Sequence, residues 1–380
     1  MSAPARRRVI LAGVSVRALA ESAARAGCDV TAIDAYGDLD LQRVARTVAA
    51  PRSDDGRVDA LGIARASRHI ETELVAYVSN FENSPDAVAM LARGRTLAGN
   101  LPAVLRRVRD PIALARALSR LGVPTPAVRA SAPLPADATR WLLKPRHSGG
   151  GHGIVHWSRG MPVPRSSIVQ QRVRGAPGSI VFIADGERAL PLALTRQLAG
   201  DAEFGAQGFA YCGSILEPHH PVLLANAIAL AQLVTREFAL RGACGIDFIA
   251  RDSIPYAIEV NPRPTASMEL VERAAGCSIW LAHVAGCARA LTSLPAPALH
   301  AEGKAILYAR RAVVLGDTTR WLADQDLRDI PAPGERIARG SPICTIFARG
   351  RTSALCYAAL VRQARTRFTE IEGRMHRRSA

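Results

Sequence analysis

Ala243-Cys244-Gly245-Ile246-Asp247-Phe248-Ile249-Ala250, then Arg251-Asp252-Ser253-Ile254-Pro255, then Tyr256-Ala257-Ile258-Glu259-Val260-Asn261-Pro262-Arg263 is the stretch that decides the fold. Two apolar runs joined by a short polar turn predict an antiparallel hairpin. With the turn centred on Ser253, Asp247 stands opposite Glu259, and period-two alternation puts Asn261 on the face of Glu259. Carboxylates opposed across a hairpin repel and destabilise it, unless a divalent cation lies between them. Carboxylate and amide oxygens suit magnesium (or manganese), which keeps substrate phosphates and waters as its remaining ligands. The competing reading is a solvent-facing strand with scattered charges.

Upstream, Lys144 carries the second signal. Of 49 basic residues only two, Lys144 and Lys304, are lysine. A chain that uses Arg wherever either residue serves keeps Lys where a compact, flexible ammonium is needed rather than a planar fork. Lys144 closes the apolar run Trp141-Leu142-Leu143 and leads through Pro145-Arg146-His147 into Ser148-Gly149-Gly150-Gly151-His152-Gly153. A strand ending in lysine and opening into a glycine-rich loop can wrap backbone N–H groups around phosphate oxygens while the ammonium supplies a point charge. The bland alternative is a surface lysine beside a flexible turn.

The 380 residues suffice for two or three domains. Aromatics make up only 5%, so the cores are built from Ala, Val, Leu and Ile. A net charge of +16 suits nucleic acid, an acidic membrane or polyanionic substrates. The charge is spread, apart from Arg6-Arg7-Arg8 and the tail 374–378, without the aromatic interleaving that single-strand binding needs. Nucleic acid is therefore not an expected partner, whereas nucleotides fit. The seven cysteines lack C-x-x-C or metal spacing and read as buried thiols of a reducing cytoplasm. The run after Arg8 lacks a cleavage site and leads into an amphipathic helix, so it reads as a first strand rather than a signal peptide. No stretch approaches the roughly 20 apolar residues of a membrane span.

The first hundred residues alternate strand and helix: strand 8–12, helix 17–26 closed by Gly27, strand 29–33 ending at Asp34, strand 74–78, then a loop with Asn80, Glu82 and Asn83. That alternation predicts a parallel, doubly wound α/β sheet. Gly13-Val14-Ser15-Val16-Arg17 departs from the dinucleotide fingerprint. A helix over 110–121 stops at Gly122 and Pro124-Thr125-Pro126. Strands then dominate (140–144, 167–173, 179–184, 188–194), with a helix over 223–241, a strand-like run 305–314, and a last helix 353–371 before a basic, frayed tail.

Together these pieces resemble the ATP-grasp superfamily. The resemblance implies a Rossmann-like pre-ATP-grasp domain over 1–108, a two-subdomain ATP-grasp fold over 109–300, and a small C-terminal α+β segment over 301–380 that completes or packs on it. It makes Lys144 the phosphate-binding lysine and Ser148, Gly149, Gly150, Gly151, His152 and Gly153 the lid. Gln170, Gln171 and Val173 fall on the hinge strand that holds adenine. Asp247, Glu259 and Asn261 match the magnesium ligands, and Arg263 matches the arginine that steadies the reacting group. Two departures stand out. The Asp-Lys pair that commonly opens the ATP domain reads Asp110-Pro111 here, so its phosphate contact is missing or falls to Arg107 or Arg109. Ala176-Pro177-Gly178-Ser179 offers no carboxylate for the ribose.

Gly13–Ala23 and Ala32–Asp40 are similar to a subgroup, in methane-producing archaea and methylotrophic bacteria, linked to methanofuran and tetrahydromethanopterin biosynthesis. The implied activity is a carboxylate–amine ligase: ATP and magnesium as cofactors, an acyl phosphate intermediate, and amide formation between a small acid and an amine. Arg196, Gln197, Thr265 and Ser267 are the substrate candidates. Alternatives are a biotin-carboxylase-like carboxylating enzyme, from the Pro/Gly-rich pattern at 330–344, and a nucleotide-binding regulator without chemistry. Homodimerisation is open.

Overall fold

The computed structural model describes residues 6–53, 56, 58–130, 140–216, 220–291 and 300–373. The basic tail 374–378 lies outside them.

The amino-terminal layer is a five-stranded parallel sheet in the order Arg46–Ala49, Asp29–Asp34, Arg8–Ala12, Leu74–Tyr77, Thr96–Ala98. Val9, Ile10, Leu11 and Ala12 are fully enclosed, as a strand covered on both faces requires. The chain winds one way from the central strand and then the other, so the switch point lies at the carboxyl ends of Arg8–Ala12 and Leu74–Tyr77. Ligands bind there in open α/β sheets. Gly13 is forced at this crossing, because a Cβ would sit 2.4 Å from Val78 Cγ2 and 2.7 Å from Ser79 O. Asp34, at the end of the second strand, accepts from Val16 N (2.7 Å), Tyr36 N (2.8 Å) and Gly37 N (2.9 Å). Its carboxylate therefore braces the turns, the position at which a dinucleotide fold would present it to a ribose.

Two antiparallel sheets follow. The smaller runs Val128–Arg129, Ser167–Gln171, Trp141–Pro145, Val155–His156. The larger runs Ile254–Asn261, Arg241–Arg251, Ala176–Asp185, Ala189–Ala199, Tyr211–Leu216, Ala301–Tyr308, Pro342–Gly350, Leu327–Arg328. The last three of these strands come from the C-terminal segment, which therefore extends the central sheet. Helix Ser353–Gly373 covers one face, with Cys356, Leu360 and Ala364 buried.

Boundaries differ from the sequence expectation in several places, among them the strand expected over 188–194, which runs Ala189–Ala199, and that over 167–173, which ends at Gln171. The helix expected over 223–241 spans Pro221–Phe238, because Ala239 turns left-handed (φ 53°) and Arg241 already begins a strand. The run expected over 305–314 is strand Ala301–Tyr308; Ala309 then bonds Ser341 O and Gly340 N, drawing the chain out of the sheet. All seven cysteines are free, five of them buried. Among the described residues no helix is long and apolar enough to cross a membrane.

Candidate active site

The hairpin closes through Asp252 and Ser253, both left-handed (φ 53° and 61°), the two-residue geometry that matches strand twist. It sets Asp247 opposite Glu259 and Gly245 opposite Asn261, with a bulge just after Asp247. Asp247 accepts from Gln197 Nε2 (2.7 Å) and Asn261 Nδ2 (3.0 Å). Glu259 Oε1 accepts from Arg109 Nη1. Burial, reinforced by the charge of Glu259, raises the Asp247 carboxyl above its ordinary value. Burial pushes Glu259 the same way, but Arg109 and Lys144 outweigh it and hold that carboxyl below the usual range. The opposed pair is thus stabilised by cationic and amide N–H donors gathered around it.

Magnesium fits this donor set. Two carboxylates and one amide oxygen on neighbouring strands are hard ligands, too few to enclose the ion, which leaves positions for phosphates and water. Among the described residues no group of three or more His, Cys, Asp or Glu side chains forms an all-protein cage.

Lys144 lies on the strand beside Ser167–Gln171, and its Nζ donates to Gln170 Oε1 at 3.0 Å. Burial lowers its pKa, while Glu259 and Asp247 work against that shift. The loop 148–153 carries left-handed glycines at 150, 151 and 153. Gly151 is the tightest, since a Cβ there would fall 1.8 Å from Phe209 O. Tyr211 N donates to Gly150 O at 2.9 Å, so the loop lies against the turn before strand Tyr211–Leu216.

Of the two arginines offered as stand-ins for the absent lysine, Arg109 lies against the carboxylate hairpin and Arg107 does not. Arg107 lies 57% exposed on the surface, stacked on Phe238 and bonded to Glu237 O. Arg109 is buried and donates to Glu259 Oε1, to Val260 O (2.9 Å), twice to Asn83 Oδ1 (3.0 and 2.8 Å) and to Ser148 O (3.2 Å). One guanidinium joins the carboxylate hairpin, the glycine loop and the amino-terminal domain. Arg263 is fixed on three sides, by Glu82 Oε1 (2.8 Å), Pro264 O (3.1 Å) and Asn261 Oδ1 (3.3 Å). Glu82 is 1% exposed, and its Oε2 is buried without a partner. Sequence reasoning placed Glu82 and Asn83 in a loop and gave them no role. The available signal was their place just past the carboxyl end of a parallel strand.

The substrate candidates divide. Gln197 faces the site through Asp247. Arg196, its neighbour on the strand, points to the opposite face, where it is exposed and stacked 5.7 Å from the Tyr357 ring centroid. Strand alternation removes Arg196 from the site. Thr265 and Ser267 bond each other at 3.1 Å just past Arg263. Gln170 turns to Lys144, whereas the Gln171 side chain accepts from Ala127 N at 3.3 Å and serves the sheet. Val173 lies beyond the end of strand Ser167–Gln171. Asn261 donates to Asp247, and Ser148 O accepts from Arg109 at the start of the loop that continues through Gly149, His152 and Gly153.

The fold is that of the ATP-grasp class. Residues 108–267 match the family described as "ATP-grasp domain". The whole architecture is similar to an L-amino acid ligase from Bacillus licheniformis (TM-score 0.70, 14% identity, covering 95% of this chain and 98% of that one). It is also similar to N5-carboxyaminoimidazole ribonucleotide synthetase from Thermus thermophilus (TM-score 0.68, 16% identity, 96% and 98%). A third likeness is the biotin carboxylase from Campylobacter jejuni, solved as a β,γ-ATP complex (TM-score 0.67, 13% identity, 91% and 87%). In sequence, 119 residues are 29% identical to an uncharacterized protein of Methanocaldococcus jannaschii, covering 30% of this chain and 28% of that relative's length.

Proposed function

We propose that the chain is an ATP-dependent carboxylate–amine ligase that forms an amide through an acyl phosphate. The observation that carries this reading is Arg109, which brings the carboxylate pair, the glycine loop and the Asn83 loop around Lys144. Lys144 and the N–H groups of 148–153 would hold the phosphates of ATP, with Gln170 orienting the ammonium. Asp247, Glu259 and Asn261 would hold magnesium, which neutralises phosphate charge. Arg263, immobilised on three sides, would meet the negative charge that develops on the acyl group. Pre-set donors of this kind need no reorganisation during reaction. Closure of the glycine loop would keep water from the activated acid. Arg109, buried among these groups, would supply the cationic contact that the absent lysine makes in the family, which favours chemistry over a purely regulatory role.

A role in one-carbon carrier biosynthesis rests on the resemblance of Gly13–Ala23 and Ala32–Asp40, and the free thiols support a cytoplasmic enzyme. The test is ADP release with MgATP, a panel of acids led by glutamate and amines led by tyramine-like compounds, with Glu259→Gln as control. Release that requires both an acid and an amine and vanishes in the control supports the ligase. Release driven by bicarbonate instead points to a carboxylating enzyme, and tight ATP binding without release sinks both.

A further inference from the structure

Lys304, the second of the two lysines, has no part in the chemistry above, yet it is only 3% exposed. Strand register places it on the working face of the large sheet. Gln197, which reaches Asp247, stands opposite Ser214; Ser214 stands opposite Lys304; and Lys304 stands opposite Phe347. Directly opposed residues share a face. From there Lys304 Nζ donates to Ala266 O at 3.2 Å and to Glu269 Oε2 at 2.7 Å, with the Phe347 ring centroid 5.6 Å away. Ala266 is the middle of the Thr265–Ser267 segment that follows Arg263. Glu269 is gripped from the other side by Arg17, which also donates to both oxygens of Asp329. Arg17 opens helix Arg17–Arg25 at the switch point of the amino-terminal sheet.

We propose that Lys304 is a positioning residue for the acceptor side of the site: it holds the 265–267 segment by its central carbonyl and locks Glu269 so that Arg17 seats the amino-terminal domain against it. This rests on the ligase reading. The chemistry explains why lysine persists in a chain that otherwise uses arginine. The ammonium must satisfy a carbonyl and a carboxylate oxygen from one point, while the far side of Glu269 is already filled by the Arg17 guanidinium. A second planar fork has neither the room nor the geometry.

The test compares Lys304→Met and Lys304→Arg with wild type in three measurements: MgATP affinity, steady-state kcat and KM for acid and amine, and hydrogen exchange over 262–269. The expected result is unchanged MgATP affinity in both variants, with kcat lowered about 10²-fold by a displaced acceptor segment. The KM for acid or amine rises, and exchange over 262–269 is faster. A purely structural role would leave the ratio of acceptor KM to ATP KM unmoved. Wild-type turnover in Lys304→Arg, or unchanged exchange in both variants, overturns the proposal. Should Lys304→Met fail to fold, Lys304→Arg keeps the charge and decides alone. If wild type releases no ADP with any acid and amine, the ligase reading fails, while exchange over 262–269 still tests whether Lys304 holds that segment.

Discussion

Arg109→Met removes the group on which the site converges. The guanidinium makes five hydrogen bonds, to Glu259, Val260 O, Ser148 O and twice to Asn83. A hydrogen bond to a charged group contributes about 1.5–3 kcal/mol, and breaking a buried ion pair from one side costs about 3–5 kcal/mol. Glu259 retains 29% exposure and the attraction of Lys144, which moves the expected loss to the lower end, about 3 kcal/mol. The pH dependence has a fixed sign. Glu259 is held below the ordinary carboxylate value despite its burial. The contribution of Arg109 is therefore full above that value and lost as the pH falls through the lower folded one. The difference between wild type and Arg109→Met accordingly holds above the ordinary carboxylate value and narrows only as the pH falls below it. Urea midpoints followed by fluorescence of the buried Trp157 and Trp280 measure it. Arg107→Met is the control, an exposed change expected to cost under about 1 kcal/mol. Equal losses in the two variants, or a difference that does not narrow in acid, would refute the assignment of Arg109 to the site.

Gln197→Ala releases Asp247 from one of its two side-chain amide donors and is expected to lower ADP release about 10-fold or more, whereas Arg196→Ala, on the other face, leaves the rate near wild type; comparable losses would undo the strand-alternation argument. Glu82→Ala frees the Nε side of Arg263 and should reduce kcat about 10²-fold with little change in the KM for ATP, and Glu82→Gln, which still offers an acceptor oxygen, should recover part of it. Glu269 is buried, but Arg17 and Lys304 outweigh that burial and hold it well below the usual carboxylate range. Its stabilisation is thus complete above the ordinary carboxylate value and fades only in strong acid, so Glu269→Gln should flatten the acid limb of a stability–pH curve.

Local pattern made the hairpin legible. Asp247, Glu259 and Asn261 lie within fifteen residues of one another on two strands, and period-two alternation with a short turn fixes their register. Lys144 was legible because, among basic residues that are almost all arginine, a lysine is conspicuous. What the sequence withheld depends on contacts between distant segments. Arg109 and Arg107 are equivalent in one dimension, and only the partners that meet Arg109 in the folded chain, Asn83, Ser148 and Glu259, set it inward. Arg196 and Gln197 could be told apart by alternation only once the register linking Ser179, Asp247 and Thr195 was known. The C-terminal strands read as a separate segment because a strand's sheet partners are set by long-range pairing.

Residues on either side of position 108 meet around Arg263 and Arg109. Tyr77 Oη and Asn100 Nδ2 both donate to Pro262 O (3.4 and 3.0 Å), Glu82 holds Arg263, and Asn83 holds Arg109. Asn261-Pro262-Arg263 is therefore clamped from the amino-terminal domain at each of its last two residues. Pro262 has no N–H to anchor itself in a ladder, so the carbonyl is what the neighbouring domain can grip. An arginine that must meet charge developing on a reacting group gains from such fixation, since donors already oriented do not reorganise. On the proposed reading the amino-terminal sheet would wall the site, with Glu82, one oxygen on Arg263, as its contact with the reacting group.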